Sequence, residues 1–104
     1  MATTPEPCWQ QLPDGQLDTL AGCLLAMAHP TRLKLVCLLA GGERSVNDLA
    51  AELGIVQPLA SQHLRILANR GVLRPRREGN RVYYGVRPPA LHALLERMRA
   101  VYCG

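Results

Sequence analysis

The fold is decided by residues 45–86, SVNDLAAELGIVQPLASQHLRILANRGVLRPRREGNRVYYGV. Their spacing predicts a short helix, a tight break, a second helix and then two strands joined at residues 78–80. Ser45 is placed to cap the first helix, and Gly54 to end it, because glycine enters the left-handed conformation after a helix without steric cost. Pro58 fits the first turn of the second helix, where a backbone N–H is not needed.

The flanking residues extend this pattern with helices on both sides. Apolar spacing predicts a first helix over residues 15–28, a buried second helix over residues 30–40 and a last helix after Pro88. A helix-turn-helix followed by a basic hairpin is a winged helix. The sequence therefore predicts a mainly α winged helix-turn-helix fold, with five helices and a two-stranded β-hairpin wing. We expect residues 1–14, which contain three prolines, to be a flexible arm, and residues 15–104 to form a single domain.

The first and last helices each carry an apolar stripe that the small central unit cannot easily cover. Pairing with the same helices of a second chain would bury both stripes, so we expect a two-fold homodimer. The alternative is that each helix folds onto the core of its own chain. The stripes consist of Leu17, Leu20, Cys23, Leu24 and Met27, and of Leu91, Leu94, Leu95, Met98, Val101 and Tyr102.

The charge of the chain is unevenly distributed. The formal net charge is +4, and seven arginines but one acidic residue lie between Arg65 and Arg87. Residues 1–31 contain three acidic residues and no lysine or arginine. Such an asymmetry favours a polyanion bound against one face.

The side chains that would read DNA lie on the second helix of the central unit and on the wing. The outward stripe of that helix combines amides, a hydroxyl and a guanidinium, which pair with base edges or phosphates, and wing arginines would hold phosphates. His63 lies toward the inner flank, and we expect it to be packed or bonded to the backbone. The predicted partner is an inverted-repeat operator in double-stranded DNA, contacted by Gln57, Ser61, Gln62, Arg65, Arg77, Asn80 and Arg81.

The remaining patterns exclude several classes. No apolar run is long enough to cross a bilayer and no secretory signal is visible, so we expect a cytoplasmic protein without membrane contact. The four cysteines, Cys8, Cys23, Cys37 and Cys103, have neither CxxC spacing nor histidines at finger-like intervals, so we expect no metal site and no cofactor. No nucleophile has an evident base, which argues against an enzyme.

Two segments together resemble one known family. AMAHPTRLKLVCLLAGGERSVNDLAAELG and QPLASQHLRILANRGVLRPRREGNRVYYGV are similar to the ArsR-type (arsenic repressor) winged-helix transcriptional regulators of bacteria. The two segments lie between residues 26 and 86. It implies a repressor that dimerises through its first and last helices, in agreement with the apolar stripes.

The resemblance also bears on what the protein senses. Metal-sensing members carry a C-x-C pair where this chain has residues 45–47, or an Asp-x-His where it has Ala90 and His92, so both metal sites are incomplete. Cys37 and Cys103 instead resemble the redox pair of the persulfide-sensing branch, which includes sulfide-oxidation and biofilm growth-associated repressors. By this resemblance, reactive sulfur species link the two thiols by a disulfide or polysulfide bridge, and the linked form releases DNA.

Three alternatives stay open at the level of sequence. The same cysteines could serve an arsenite- or antimonite-responsive repressor. A small thiol enzyme that transfers sulfur is a candidate from a different class, and an architectural DNA-binding protein without a switch is the third. For Cys23, which lies among leucines, the simplest interpretation is a small core hydrophobe, while Cys8 lies in the predicted arm.

Overall fold

The computed structural model describes residues 8–104 as five helices and a small sheet. A 3-10 helix, Cys8–Gln11, precedes α1 (Gln16–Met27), α2 (Pro30–Leu39), β1 (Arg44–Ser45), α3 (Val46–Leu53), α4 (Gln57–Asn69), β2 (Leu73–Glu78), β3 (Arg81–Val86) and α5 (Leu91–Tyr102). The predicted winged helix-turn-helix fold is confirmed. The wing itself is the predicted hairpin, but two residues of β1 add a third antiparallel strand, so that the sheet order is β1-β3-β2. β1 has only two residues, too few for an alternation of apolar and polar side chains to predict a strand from the sequence.

The helix-turn-helix follows the expected local chemistry. The Ser45 hydroxyl accepts a hydrogen bond from the backbone N–H of Asp48 at 3.1 Å and so caps α3. Gly54 ends α3 with φ 66°, a left-handed conformation that other L-residues rarely adopt. Pro58 lies in the first turn of α4, which faces the core with Ala60, Leu64 and Leu67, as predicted.

One aliphatic core joins α2, α3, α4 and the base of the wing. Its largest fully buried side chains are Leu35, Val36, Leu49, Leu64, Leu67 and Leu73. Tyr84 on β3 is also buried, whereas its neighbour Tyr83 is half-buried on the other face of the strand. This core fixes α4 and the wing relative to each other.

The wing turns at Gly79 and Asn80, between the paired residues Glu78 and Arg81. Of these two loop residues, Gly79 has a positive φ, at 62°, and Asn80 does not. A positive φ at the first loop residue alone is the φ pattern of a type II′ turn, which also matches the twist of a hairpin.

The outer helices are poorly covered by their own chain. On α1 the exposed fraction is 49% for Leu20 and 51% for Leu24, and on α5 it is 40% for Met98 and 73% for Val101. Only Leu91 is buried on α5. Each stripe therefore packs onto its own core only in part: Met27 and Leu91 are buried, whereas Leu20, Leu24, Met98 and Val101 stay uncovered.

The expectation that α2 is buried all round was wrong. Leu35, Val36 and Leu39 are buried, but Cys37 and Leu33 are exposed. Residues four apart share one side of a helix, so Leu33 and Cys37 form a face that points away from the core. An apolar composition around a whole helix thus did not ensure burial.

Residues 1–7 of the predicted arm lie outside the described residues, and residues 8–11 of that arm form the 3-10 helix. The division into an arm and a single domain stays a prediction. Within the described residues, no single helix is long and apolar enough to cross a membrane; α1 and α2 pass that test of length and composition only as a pair, bent by 98°.

Candidate nucleic-acid interface and cysteine pair

A groove of about 450 Å³ lies between α4, the start of α3 and the wing. It brings together six of the seven predicted DNA-contacting residues, which come from two separate parts of the chain. They are Gln57, Ser61, Arg65, Arg77, Asn80 and Arg81. Amide, hydroxyl and guanidinium groups therefore converge on one concave surface, which suits contacts to phosphates and base edges.

The seventh residue, Gln62, is exposed on α4 beside the groove rather than in it. The groove also includes residues that sequence reasoning missed, among them Asn47 and Pro75. Asn47 lies in the first turn of α3, directly after the cap at Ser45. The signal that could have identified it was its position in the first turn of a helix, next to the cap, where backbone N–H groups lack partners within the helix.

The wing arginines fall on two faces of the hairpin. Pro75, Arg77, Val82 and Tyr84 line the groove, and strand alternation places Arg76 on the opposite face. There the Arg76 guanidinium donates to Glu43 at 3.0 Å and to Glu78 at 2.8 Å. It also lies 4.8 Å from the centre of the Tyr83 ring.

These contacts raise the pKa of Arg76, first through its hydrogen bonds to Glu78 and Glu43. The two carboxylates neutralise its charge locally, and the ion pair with Glu43 links the hairpin to the residue before β1. That all arginines of the wing hold phosphates stays a prediction; the pairing of Arg76 with Glu43 could not be predicted, because the two residues lie 33 positions apart in the chain.

His63 connects α4 to α2. Its Nδ1 accepts a hydrogen bond from Arg32 Nε at 3.1 Å, and its ring centre lies 5.1 Å from that of His29. Arg32 also donates to the carbonyl of Ala26 at the end of α1, at 3.4 Å. His63 is packed as expected, but its partner is a side chain rather than the backbone.

The pKa of His63 is lowered from 6.5 by burial, then by Arg32 and then by His29. The unfolded chain therefore binds more protons than the folded chain as the pH falls through 6.5. We therefore expect His63 to have no effect on the pH dependence of the free energy of unfolding well above pH 6.5, and to make that free energy decrease as the pH falls below 6.5. The measurement is urea unfolding at several pH values, for the wild type and for His63→Gln, whose amide oxygen can still accept from Arg32.

His63→Gln should show a smaller decrease between pH 7 and pH 5 than the wild type, because the titrating ring is gone. His92→Gln is the matched control, since His92 is exposed on α5 and should leave the wild-type decrease intact. Parallel curves for the wild type and His63→Gln would contradict the assignment.

A further contact joins α1 to the end of α4. The Cys23 thiol donates to the carbonyl oxygen of Arg70 at 3.1 Å. The Arg70 side chain lies against Gly22, where a Cβ would come within 3.1 Å of the guanidinium. Cys23 is half-buried. Because its thiol also bonds to Arg70, it does more than fill the core: it links α1 to the end of α4.

Cys37 and Cys103 are both free and exposed. Cys37 lies on the outward face of α2, and Cys103 directly follows the last residue of α5. The end of α2 and the start of α5 border one depression, lined by Leu39, Ala40 and His92 among others. In the described part of the chain, no group of three or more His, Cys, Asp or Glu side chains is placed to hold a metal ion.

Comparison with known proteins identifies the family. The family model described as "Bacterial regulatory protein, arsR family" matches residues 29–74. A biofilm growth-associated repressor from Agrobacterium fabrum is 41% identical over 80 residues, which cover 77% of this chain and 68% of that protein. The chain belongs to the arsR family. The resemblance in the two sequence segments is thereby confirmed, as is the prediction of a regulator rather than an enzyme.

Solved structures agree with this arsR-family assignment. The transcriptional repressor BigR from Xylella fastidiosa has a TM-score of 0.74 at 32% identity, over 86% of this chain and 91% of that one. A homodimeric winged helix-turn-helix DNA-binding domain from Mycobacterium bovis has a TM-score of 0.76 at 32% identity, over 97% of this chain and 89% of that one. The groove of the present protein therefore lies on a fold that DNA-binding regulators share.

Proposed function

We propose that this arsR-family protein is a cytoplasmic transcriptional repressor that binds an inverted-repeat operator as a homodimer. The groove between α4 and the wing carries the proposal, because it combines Gln57, Ser61 and Arg65 with Arg77 and Arg81. In a winged helix, the second helix of the helix-turn-helix enters the major groove while the flanking wing contacts the backbone. Those are the two kinds of contact that these side chains can make.

The homodimer is supported by the exposed stripes on α1 and α5. Leucines that are half-exposed along a whole helix are a cost unless a second surface covers them. Two copies related by a two-fold axis would present two α4 helices to successive half-sites, about one helical turn apart. The relative from Mycobacterium bovis, which is described as homodimeric, supports a pair of this fold.

The inducer in this proposal is a persulfide, sensed by Cys37 and Cys103. A persulfide transfers its outer sulfur to the Cys37 thiolate and leaves as a thiol. The Cys103 thiolate then attacks the inner sulfur of that new persulfide, closing a disulfide and releasing hydrosulfide; a second transferred sulfur would give a trisulfide instead. The exposure of both thiols supports access by a soluble sulfur donor.

A bridge would tie α2 of the core to the end of α5, which belongs to the dimer surface. Because both α4 helices must fit successive half-sites together, a small change in the subunit angle weakens both contacts. A coupling free energy of roughly 1–3 kcal/mol corresponds to a 5- to 150-fold loss of affinity.

The experiment that tests the DNA-binding role is selection of duplexes from a random library by the purified protein. We expect an inverted repeat with half-sites about one turn apart, bound at about 10⁻⁸ M or tighter at physiological salt. Enrichment of no sequence above bulk DNA would exclude a specific repressor.

Arg76 and Arg77 form a matched pair for testing the wing. Arg77→Ala should weaken binding to all duplexes and make the slope of log affinity against log salt shallower by about 1.8, because a dimer loses two phosphate contacts. Arg76→Ala should leave the slope unchanged, since its guanidinium is held by Glu43 and Glu78. Fluorescence anisotropy over a salt series measures both, and equal slopes for the two variants would contradict this division of the wing.

A further inference from the structure

An exposed valine stands at the start of α4, where the chemistry of a helix end favours a polar residue. Val56 is the N-cap of α4 and makes no side-chain hydrogen bond to the helix. The equivalent position of α3 is Ser45, whose hydroxyl does cap its helix at 3.1 Å. Ser, Thr, Asp and Asn are preferred at such positions because they satisfy a free N–H group. The two helices of one motif thus differ in this respect.

Val56 does not serve the core either. Its exposed fraction is 68%, although the preceding residue, Ile55, packs against the core. An aliphatic side chain that neither caps a helix nor fills a core has its apolar surface available to a ligand.

The position of Val56 at the start of α4 favours DNA as that ligand. Val56 is not among the residues that line the groove, but it directly precedes Gln57, which lines this polar and positively charged surface together with Arg65 and Arg77. The N-terminal residues of the second helix of a helix-turn-helix are those that approach base edges. On the floor of the major groove, the one apolar group is the C5-methyl of thymine.

We propose that Val56 contacts a thymine methyl group in each operator half-site and thereby makes the protein select thymine at that position. This inference rests on the proposed DNA-binding function and adds a specificity determinant to it. The polar side chains of the groove supply hydrogen bonds, whereas Val56 supplies a contact that a cytosine, which lacks the methyl, cannot make.

The test replaces thymine by deoxyuridine, one position at a time, in the operator selected by the wild-type protein. This change removes a methyl group and leaves every hydrogen-bonding group in place. We expect one position per half-site to be sensitive, with about fourfold weaker binding per buried methyl and about 15-fold when both half-sites are changed.

Two variants connect that sensitivity to the side chain. Val56→Ala changes both subunits, so it should bind the thymine operator about as weakly as the wild type binds the operator with deoxyuridine in both half-sites. It should no longer distinguish thymine from deoxyuridine at the sensitive position. Val56→Ser should lose the same discrimination, although its hydroxyl can cap α4 as Ser45 caps α3. A loss that came from a weakened helix would be absent from Val56→Ser, so agreement between the two variants supports a base contact.

The failure of this inference is distinguishable from the failure of the DNA-binding function. If the wild type selects an operator but tolerates deoxyuridine at every position, or if Val56→Ala keeps the full discrimination, Val56 is not a base contact and the repressor role stands. The same conclusion follows if Val56→Ala binds the operator as tightly as the wild type. If the wild type selects no operator, both proposals fall.

Discussion

Leu24→Asp is expected to give a folded monomer that binds its operator at least ~100-fold more weakly than the wild type. Leu24 is half-exposed in the middle of the α1 stripe, so the substitution costs little within one subunit. In a dimer, the same residue would be buried twice, and each copy would place an unpaired carboxylate in an apolar interface. Met98→Asp, on α5, should have the same effect.

The large effect on DNA binding follows from bivalency. Two linked binding units gain a factor of about 10²–10⁴ in affinity over one unit without any new contact. A monomer loses that factor although its groove is intact. Sedimentation velocity gives the oligomeric state, and anisotropy with a selected operator gives the affinity.

The matched control is Leu24→Met, which keeps an apolar side chain of similar volume and should remain a dimer with wild-type affinity. Thermal unfolding of each variant shows that the subunit is folded. A dimer that survives both Leu24→Asp and Met98→Asp would place the interface elsewhere, and the two exposed stripes would need another explanation.

Replacing either sensing cysteine is expected to abolish induction while leaving operator binding unchanged. In the wild type, glutathione persulfide should lower operator affinity within the 5- to 150-fold range. Cys37→Ser and Cys103→Ser should each show no decrease, because one thiol alone cannot close a bridge. Neither residue lines the groove, so the untreated variants should bind as the wild type does.

Intact-protein mass spectrometry identifies the product. A disulfide leaves the protein two hydrogens lighter, and each additional bridging sulfur adds the mass of one sulfur atom. A non-reducing gel separates a bridge within one subunit from a bridge between subunits, and we expect the former.

Cys23→Ser is the control, since Cys23 already donates to Arg70 and a serine hydroxyl can do the same. It should retain both the affinity and the response. Treatment with arsenite in parallel distinguishes the metalloid alternative, in which release would follow arsenite rather than persulfide. Equal release of the wild type and both single variants by persulfide would contradict the sensing pair, and repeated turnover of the persulfide would favour a sulfur-transfer enzyme.

Much of the fold could be predicted from local sequence, because its boundaries depend on residues that act on their immediate neighbours. Ser45, Gly54 and Pro58 each fix the start or end of a helix through their own backbone or side-chain chemistry. The inward face of α4 followed equally from helical spacing. β1 was missed since its two residues form a strand only by pairing with β3, and that partner lies far away in the chain.

The candidate site was predictable only in part, for the same reason. Helical spacing and charge located the residues of the groove, but the role of Arg76 depends on Glu43, 33 positions earlier. The exposure of Cys37 depends on which side of an apolar helix faces the core, and composition alone does not determine that side. Val56 was overlooked because a valine in the sequence is expected to be buried, and only the structure shows that it is exposed.

The Glu43–Arg76–Glu78 arrangement has a consequence for how the protein would search a chromosome. Each arginine on a wing that is not paired with a carboxylate strengthens nonspecific binding to DNA. A regulator that must find one operator among millions of nonspecific sites is slowed by such binding. In the proposed repressor, these two carboxylates would keep one cation per subunit from the phosphates, which would weaken nonspecific binding and leave sequence selection to α4. Weaker nonspecific binding would also favour dissociation from DNA after the proposed cysteine bridge forms.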